Sequence, residues 1–121
     1  MKNTLLTILR DKKTDIAQFR GAAERITHLL AHEAGVLLKE EKVAVNTPLQ
    51  KTAGWRFRQE IVLIPILRSG IAFLPTFLSY FPSAKVGFMG LKRDENTAIA
   101  KEYYRNIPPI GTFVPTEIPL L

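Results

Sequence analysis

The feature that most constrains the fold is an apolar run in the middle of the chain. Residues Ile61 to Leu67 are all apolar, with Glu60 before them and Arg68-Ser69-Gly70 after them. A short continuous apolar run between polar boundaries is typical of a strand covered on both faces, as in a parallel sheet. We therefore predict a strand over Glu60–Leu67, with Pro65 near its end because proline cannot donate to a central ladder. The run is far too short for a membrane span, which needs about 20 apolar residues.

The residues after this run predict the crossover that a parallel pair of strands requires. Ile71–Phe81 is largely apolar and favours a short helix, with Pro75 in its first turn. A second apolar segment, Lys85–Leu91, is predicted as the next strand. Strand, helix and strand in this order form a right-handed crossover, which places the chain in the α/β class.

An earlier segment predicts one long helix. Thr14 is a suitable N-cap, and apolar residues at steps of three and four continue to about Leu38. Glu33 falls in a gap of this stripe, where we expect it to bind a neighbouring arginine or a backbone donor. The predicted apolar stripe consists of Ile16, Phe19, Ala23, Ile26, Leu30 and Leu37.

A hairpin is predicted between this helix and the apolar run. Val43 and Val45 alternate with their neighbours, and Thr47-Pro48 then breaks the alternation. A second short strand is expected after Ala53-Gly54. The two strands would form a polar hairpin, or arm, lying on the main body.

Composition limits the classes of partner. The chain has 17 Lys and Arg against 11 Asp and Glu, a net charge of +6, and no cysteine, which excludes disulfides and thiolate metal sites. The positive charge is spread without a basic run or interleaved aromatics, so nucleic-acid binding is weakly supported. A small anionic substrate accounts for the charge equally well. The charged residues at Arg10–Lys13 end the N-terminal apolar segment before it is long enough for a signal peptide, so we expect a cytoplasmic protein.

Two arginines are expected at the same edge of the sheet. Arg68 follows the first predicted strand and Arg93 follows the second, and ligands bind at the carboxyl ends of parallel strands. Ser69 and Gly70 allow a tight turn whose backbone donors could approach a phosphate. Two guanidinium groups there suit a pyrophosphate or a phosphorylated sugar. The alternative, weighted equally, is a structural salt bridge for Arg68 and a solvated loop position for Arg93.

Two other pairs of side chains have more ordinary explanations. His28 and His32 stand four residues apart on the predicted helix, as metal ligands can, but no third ligand is evident, so a surface pair is favoured. Tyr103-Tyr104 could form a lid or a stacking platform, although packing against the sheet is the commoner use of such a pair.

Residues 61–110 resemble the middle of a uracil phosphoribosyltransferase. The segment Pro65–Gly70 is similar to the family's P-I-L-R-A-G turn, and Phe81–Gly87 is similar to its P-x-A-x-V-G-like step. Arg93-Asp94-Glu95 and Glu102-Tyr103-Tyr104 resemble the two motifs that follow in the family. Several motifs in one order make the resemblance specific, and weaker matches extend it back through the first helical region.

The resemblance implies the N-terminal half of a type I phosphoribosyltransferase-like fold over residues 1–110, followed by an irregular, proline-rich tail at 111–121. It implies transfer of a phosphoribosyl group from phosphoribosyl pyrophosphate to uracil, giving UMP and pyrophosphate, with Mg²⁺ bound to the donor pyrophosphate. By matching position, Arg68 and Arg93 hold the donor, with loop contacts from Ser69-Gly70. Homodimers are usual in the family.

The departures from the family pattern limit this expectation. Lys92 replaces a usual aromatic residue, and Gly111–Leu121 contains neither the family's acidic, Thr-Gly-rich donor loop nor its glycine-rich uracil loop. We therefore expect a truncated protein that is inactive alone. A non-catalytic remnant, or a fragment that acts by association, stays open as the alternative. A small basic nucleic-acid-binding protein is a third interpretation, and its affinity would fall steeply with salt.

Overall fold

Two helices form the N-terminal part of the computed structural model, which describes residues 1–109. Helix α1 covers Lys2–Arg10 and helix α2 covers Ile16–Leu37. The second confirms the predicted long helix, whereas the apolar residues of the first did not lead us to predict a separate helix. No helix among the described residues is long and apolar enough to cross a membrane. The predicted tail at 111–121 lies outside the described residues.

Helix α2 begins one residue later than predicted. The Asp15 carboxylate accepts a hydrogen bond from the Gln18 backbone at 2.8 Å, and the Gln18 side chain accepts one from the Asp15 backbone at 3.2 Å. This reciprocal capping box satisfies two backbone donors at the helix start. Asp15 is therefore the N-cap, and the prediction of Thr14 was wrong. The Thr14 hydroxyl instead donates to the Ile8 carbonyl at 2.7 Å and ties the connecting turn to α1.

The buried face of α2 also differs from the predicted stripe. Ile16, Phe19 and Leu37 are exposed, whereas Leu5 of α1 packs into a core with α2. Alanines on this face let α1 approach closely. Because alanine is only weakly hydrophobic, the sequence pattern did not predict that this face is buried. The buried residues of α2 are Ala22, Ile26, Thr27, Leu30, Ala31 and Ala34.

An antiparallel hairpin follows the two helices, as predicted. Strand β1 covers Glu40–Asn46 and strand β2 covers Lys51–Phe57. The Thr47 hydroxyl donates to the Gln50 carbonyl at 2.6 Å and closes the turn between them. The second strand was expected to follow Ala53-Gly54, but both residues lie inside β2, where they pair with residues of β1.

The predicted parallel crossover is confirmed, with each of its strands divided in two. A 3-10 turn precedes the crossover helix, and Pro75 lies in the first turn of that helix, as expected. Each of the two apolar segments forms two short strands. The first strands of the two segments pair with each other in parallel, and so do the second strands. The elements in chain order are β3 (Val62–Leu63), β4 (Ile66–Leu67), the 3-10 turn (Ser69–Phe73), α3 (Leu74–Tyr80), β5 (Lys85–Val86) and β6 (Phe88–Arg93).

Pro65 explains why the predicted strand Glu60–Leu67 is divided. The carbonyls of alternate residues accept hydrogen bonds without a break, from Lys85 to Ile61 at 3.0 Å, from Gly87 to Leu63 at 2.9 Å and from Met89 to Pro65 at 3.3 Å. Pro65 has no N–H to donate to the neighbouring strand, so one hydrogen bond of the ladder is missing at its position. The prediction that this strand is covered on both faces was wrong for the described residues, because Ile66 is 37% exposed and its neighbours are half-buried.

A seventh strand, which the sequence did not predict, completes the described fold. Strand β7 covers Ala100–Asn106 and pairs antiparallel with β6, so the sheet order is β4-β6-β7. The pairing extends β6 to Arg93, two residues past the predicted end. After β7, the chain passes over Gly87, where an added Cβ would lie 2.9 Å from both the Asn106 carbonyl and the Pro108 Cδ.

Candidate functional site

An open cleft lies at the carboxyl ends of the parallel strands β4 and β6. Its volume is about 650 Å³. It brings together three of the four residues predicted to bind a ligand, namely Arg68, Arg93 and Ser69. The complete lining consists of Leu67, Arg68, Ser69, Leu91, Lys92, Arg93 and Tyr103.

The register of the two strands explains why the arginines meet. Leu67, the last residue of β4, pairs with Gly90 in the middle of β6. Arg68 therefore follows the end of β4 beside the second half of β6, which continues to its last residue, Arg93. We expected Arg93 in the loop after the strand, but it is the last residue of β6, held there by pairing with Ala100.

Gly70 has a packing role that the sequence did not indicate. It does not line the cleft. A Cβ on Gly70 would lie 3.1 Å from the carbonyl carbon and 3.2 Å from the Cα of Pro65, so the turn after Arg68 folds tightly onto the end of the strand. A side chain here would push the Arg68-Ser69 turn away from the strand.

The loop after β6 contacts Arg93 from the other side. The Asp94 carboxylate accepts hydrogen bonds from the backbone N–H groups of Asn96 at 2.8 Å and Thr97 at 3.1 Å. These two donors lower the pKa of Asp94 below its ordinary value. The turn brings the Ala98 carbonyl within 3.4 Å of the Arg93 Nε, a weak contact that leaves the other guanidinium nitrogens available.

Tyr103 reaches the cleft through an irregularity in the β6–β7 ladder. Gly90 pairs with Tyr104, but Leu91 pairs with Glu102, so Tyr103 is an extra residue that bulges from β7. Its ring lies directly over Gly90, where an added Cβ would be 2.6 Å from Cζ. Sequence reasoning favoured packing against the sheet for this tyrosine, and the structure gives it both that contact and a place in the cleft lining.

The charged side chains that line the cleft are all cations. Arg68, Lys92 and Arg93 have no carboxylate within salt-bridge distance among residues 1–109. The nearby Glu102 is occupied, because its two carboxylate oxygens accept hydrogen bonds from Arg105 at 2.6 and 2.7 Å, which lowers the pKa of Glu102. The structural salt bridge considered for Arg68 is therefore not formed within the described part of the chain.

The lining does not supply ligands for Mg²⁺. Magnesium prefers carboxylate and other oxygen ligands, and no Asp or Glu belongs to this lining. The Mg²⁺ implied by the resemblance therefore does not fit a site built from these protein residues.

The histidine pair and Glu33 have contacts typical of structural residues. His28 Nδ1 lies 3.2 Å from the Tyr80 hydroxyl, and their rings pack edge to face. Within residues 1–109, no three His, Asp or Glu side chains gather as metal ligands would. Glu33 binds Lys2 at 2.8 Å, so the expected ion pair exists with a lysine in place of an arginine.

A family model described as uracil phosphoribosyltransferase matches residues 2–112 of the chain. The uracil phosphoribosyltransferase of Salinibacter ruber is 38% identical over 103 residues, which are 85% of this chain and 49% of that protein. The same enzyme of Campylobacter fetus is 41% identical over 103 residues, with 85% and 49% covered.

A solved structure shows the same fold. The structure of the AQ2163 protein from Aquifex aeolicus has a TM-score of 0.77 and 31% identity, and the match covers 88% of this chain and 52% of that one. The chain spans about half the length of the curated relatives it matches. Its α/β architecture is that of the N-terminal half of a phosphoribosyltransferase-like fold, and the chain belongs to the uracil phosphoribosyltransferase family.

Proposed function

We propose that the cleft binds the diphosphate group of phosphoribosyl pyrophosphate, with Arg68 and Arg93 as its principal ligands. The observation that carries this proposal is a cleft at the carboxyl ends of two parallel strands whose charged lining residues are all cations without carboxylate partners in residues 1–109. Because no carboxylate in the described lining neutralises these cations, the positive potential of the cleft favours an anionic ligand. Guanidinium groups also match phosphate oxygens bidentately.

In the proposed reaction, a phosphoribosyl group passes from this donor to uracil, giving UMP and pyrophosphate. As the bond between the ribose carbon and the pyrophosphate oxygen lengthens, negative charge grows on the leaving group. Arg68 and Arg93 carry permanent positive charge and start from two neighbouring strand ends, so they stabilise that charge where it develops. Ser69 offers a hydroxyl beside them.

The contribution of these residues is confined to the diphosphate side. The described lining contains no carboxylate to hold the ribose hydroxyls, and residues 111–121 contain only one acidic residue and one glycine. We therefore propose that the 121 residues bind the donor diphosphate and do not catalyse the transfer alone. Incubation with uracil, donor and Mg²⁺ should give UMP only at the uncatalysed rate, and formation well above it would overturn this part.

Isothermal titration with inorganic pyrophosphate tests the proposed cleft directly. Arg68→Ala and Arg93→Ala should each weaken binding about fivefold to tenfold, because a charge-assisted contact in an open cleft is lost. Arg25→Ala is the matched control, since Arg25 is an exposed arginine on α2 and its removal changes the net charge equally. If all three variants bind pyrophosphate with the same affinity, the arginines do not form the site.

Other features of the family carry over only as proposals. These are uracil as the acceptor, Mg²⁺ carried on the donor diphosphate, assembly as a homodimer and a cytoplasmic location. The family match supports uracil as the acceptor, and the other three rest on the resemblance to the family. Because the lining offers no Mg²⁺ ligands, the ion would enter as part of the substrate.

A further inference from the structure

Lys92 adds a third cation to the cleft at a position where the family pattern has an aromatic residue. It is the penultimate residue of β6, it is exposed, and it lines the cleft between Leu91 and Arg93. No carboxylate lies within salt-bridge distance of it among the described residues.

A second lysine faces Lys92 across the ladder. In the β6–β7 register Lys92 pairs with Lys101, and directly paired residues of antiparallel strands project to the same face. Like charges in this arrangement repel and destabilise the pairing of the strands. Lys101 does not line the cleft, so an anion bound there would meet Lys92 and the arginines and would offset the charge of Lys92 that repels Lys101.

We propose that Lys92 is a specificity-determining residue that makes the cleft select a diphosphate over a single phosphate. This inference rests on the proposed function of the same cleft. Arg68 and Arg93 are enough to hold one phosphate group, whereas a diphosphate carries more charge over a greater length. The lysine ammonium is a compact point charge that can neutralise the second group. An aromatic side chain at this position cannot supply that charge.

The test compares dissociation constants for inorganic pyrophosphate and inorganic phosphate. Lys92→Ala and Lys92→Tyr should weaken pyrophosphate binding about fivefold and change phosphate binding less than twofold, so the selectivity ratio falls. Lys92→Arg should retain the ratio, because it keeps the charge. Lys12→Ala, at an exposed lysine between α1 and α2, is the control for net charge and should leave both constants unchanged.

The outcomes separate this inference from the proposed function. An unchanged selectivity ratio in Lys92→Ala, or equal weakening of both ligands, overturns the role of Lys92. If Arg68→Ala still weakens pyrophosphate binding in that case, the proposed cleft stands. If neither the arginine nor the lysine variants change binding, both proposals fail.

The unfolding temperature of the protein without ligand gives an independent measure of the repulsion between Lys92 and Lys101. Lys92→Tyr should unfold at a higher temperature than the unchanged chain, and added pyrophosphate should raise its unfolding temperature less. An unchanged or lower unfolding temperature for the free variant would contradict the repulsion between Lys92 and Lys101.

Discussion

Replacing Gly90 by alanine tests how Tyr103 is held in the cleft. An ideal Cβ at Gly90 would lie 2.6 Å from Cζ and 2.7 Å from Cε2 of Tyr103, and 3.0 Å from the Cβ of Tyr104. Carbon atoms pack at about 3.5–4.0 Å, so the ring or the strand must move by about 1 Å. Because Tyr103 is 58% exposed, its ring can turn toward solvent, and the cost is near the lower end of the about 1–3 kcal/mol typical of an overpacked core. Alanine recovers about 0.5–1 kcal/mol through its smaller entropy loss, so we expect Gly90→Ala to lower the free energy of unfolding by up to about 1 kcal/mol.

Urea unfolding followed by circular dichroism measures this loss in a double-mutant cycle. In a Tyr103→Ala background the clashing ring atoms are gone, so Gly90→Ala should no longer destabilise the protein and should stabilise it by up to about 1 kcal/mol through the smaller entropy loss of alanine. Gly21→Ala is the matched control, because a Cβ there meets nothing within 4 Å and should stabilise helix α2 by about 0.5–1 kcal/mol. If Gly90→Ala costs the same with and without the tyrosine ring, the proposed contact between Gly90 and Tyr103 is refuted.

Two further predictions concern stability and its dependence on pH. Ile26 is 1% exposed in the core between α1 and α2, so Ile26→Ala should lower the free energy of unfolding in urea by about 2–5 kcal/mol. Ile16 is 68% exposed, so Ile16→Ala should lower it by less than about 0.5 kcal/mol. Equal losses in the two variants would contradict the observed buried face of α2. The lowered pKa of Asp94 means that its carboxylate stabilises the fold above the ordinary aspartate pKa of about 3.9 and that this contribution is lost as the pH falls through the lowered value. Asp94→Ala should therefore show a shallower loss of unfolding free energy below about pH 4 than the unchanged chain, and identical pH profiles would show that the turn contributes nothing.

The crossover and its arginines could be predicted because their signals are local. The apolar run before Arg68, the proline in the first turn of the following helix and the next apolar segment each predict one element. The rule that ligands bind at the carboxyl ends of parallel strands then places Arg68 and Arg93 together, and both line one cleft.

The buried face of α2 and strand β7 could not be predicted in this way. The choice of face depends on α1 docking against alanines such as Ala22, whose small side chains give a weak hydrophobic signal. The residues of Ala100–Asn106 are all exposed and show no alternation, because β7 is held mainly by backbone pairing with β6. The place of Tyr103 in the cleft depends on a bulge over Gly90, which is a tertiary contact.

The end of β7 determines how any later part of a polypeptide can reach the cleft. Asn106 pairs with Phe88, at the opposite end of β6 from Arg93. A strand rises about 3.3 Å per residue, so these two ends of β6 are about 17 Å apart. Any segment that links the end of β7 to the cleft must therefore span about 17 Å, which takes at least about five extended residues.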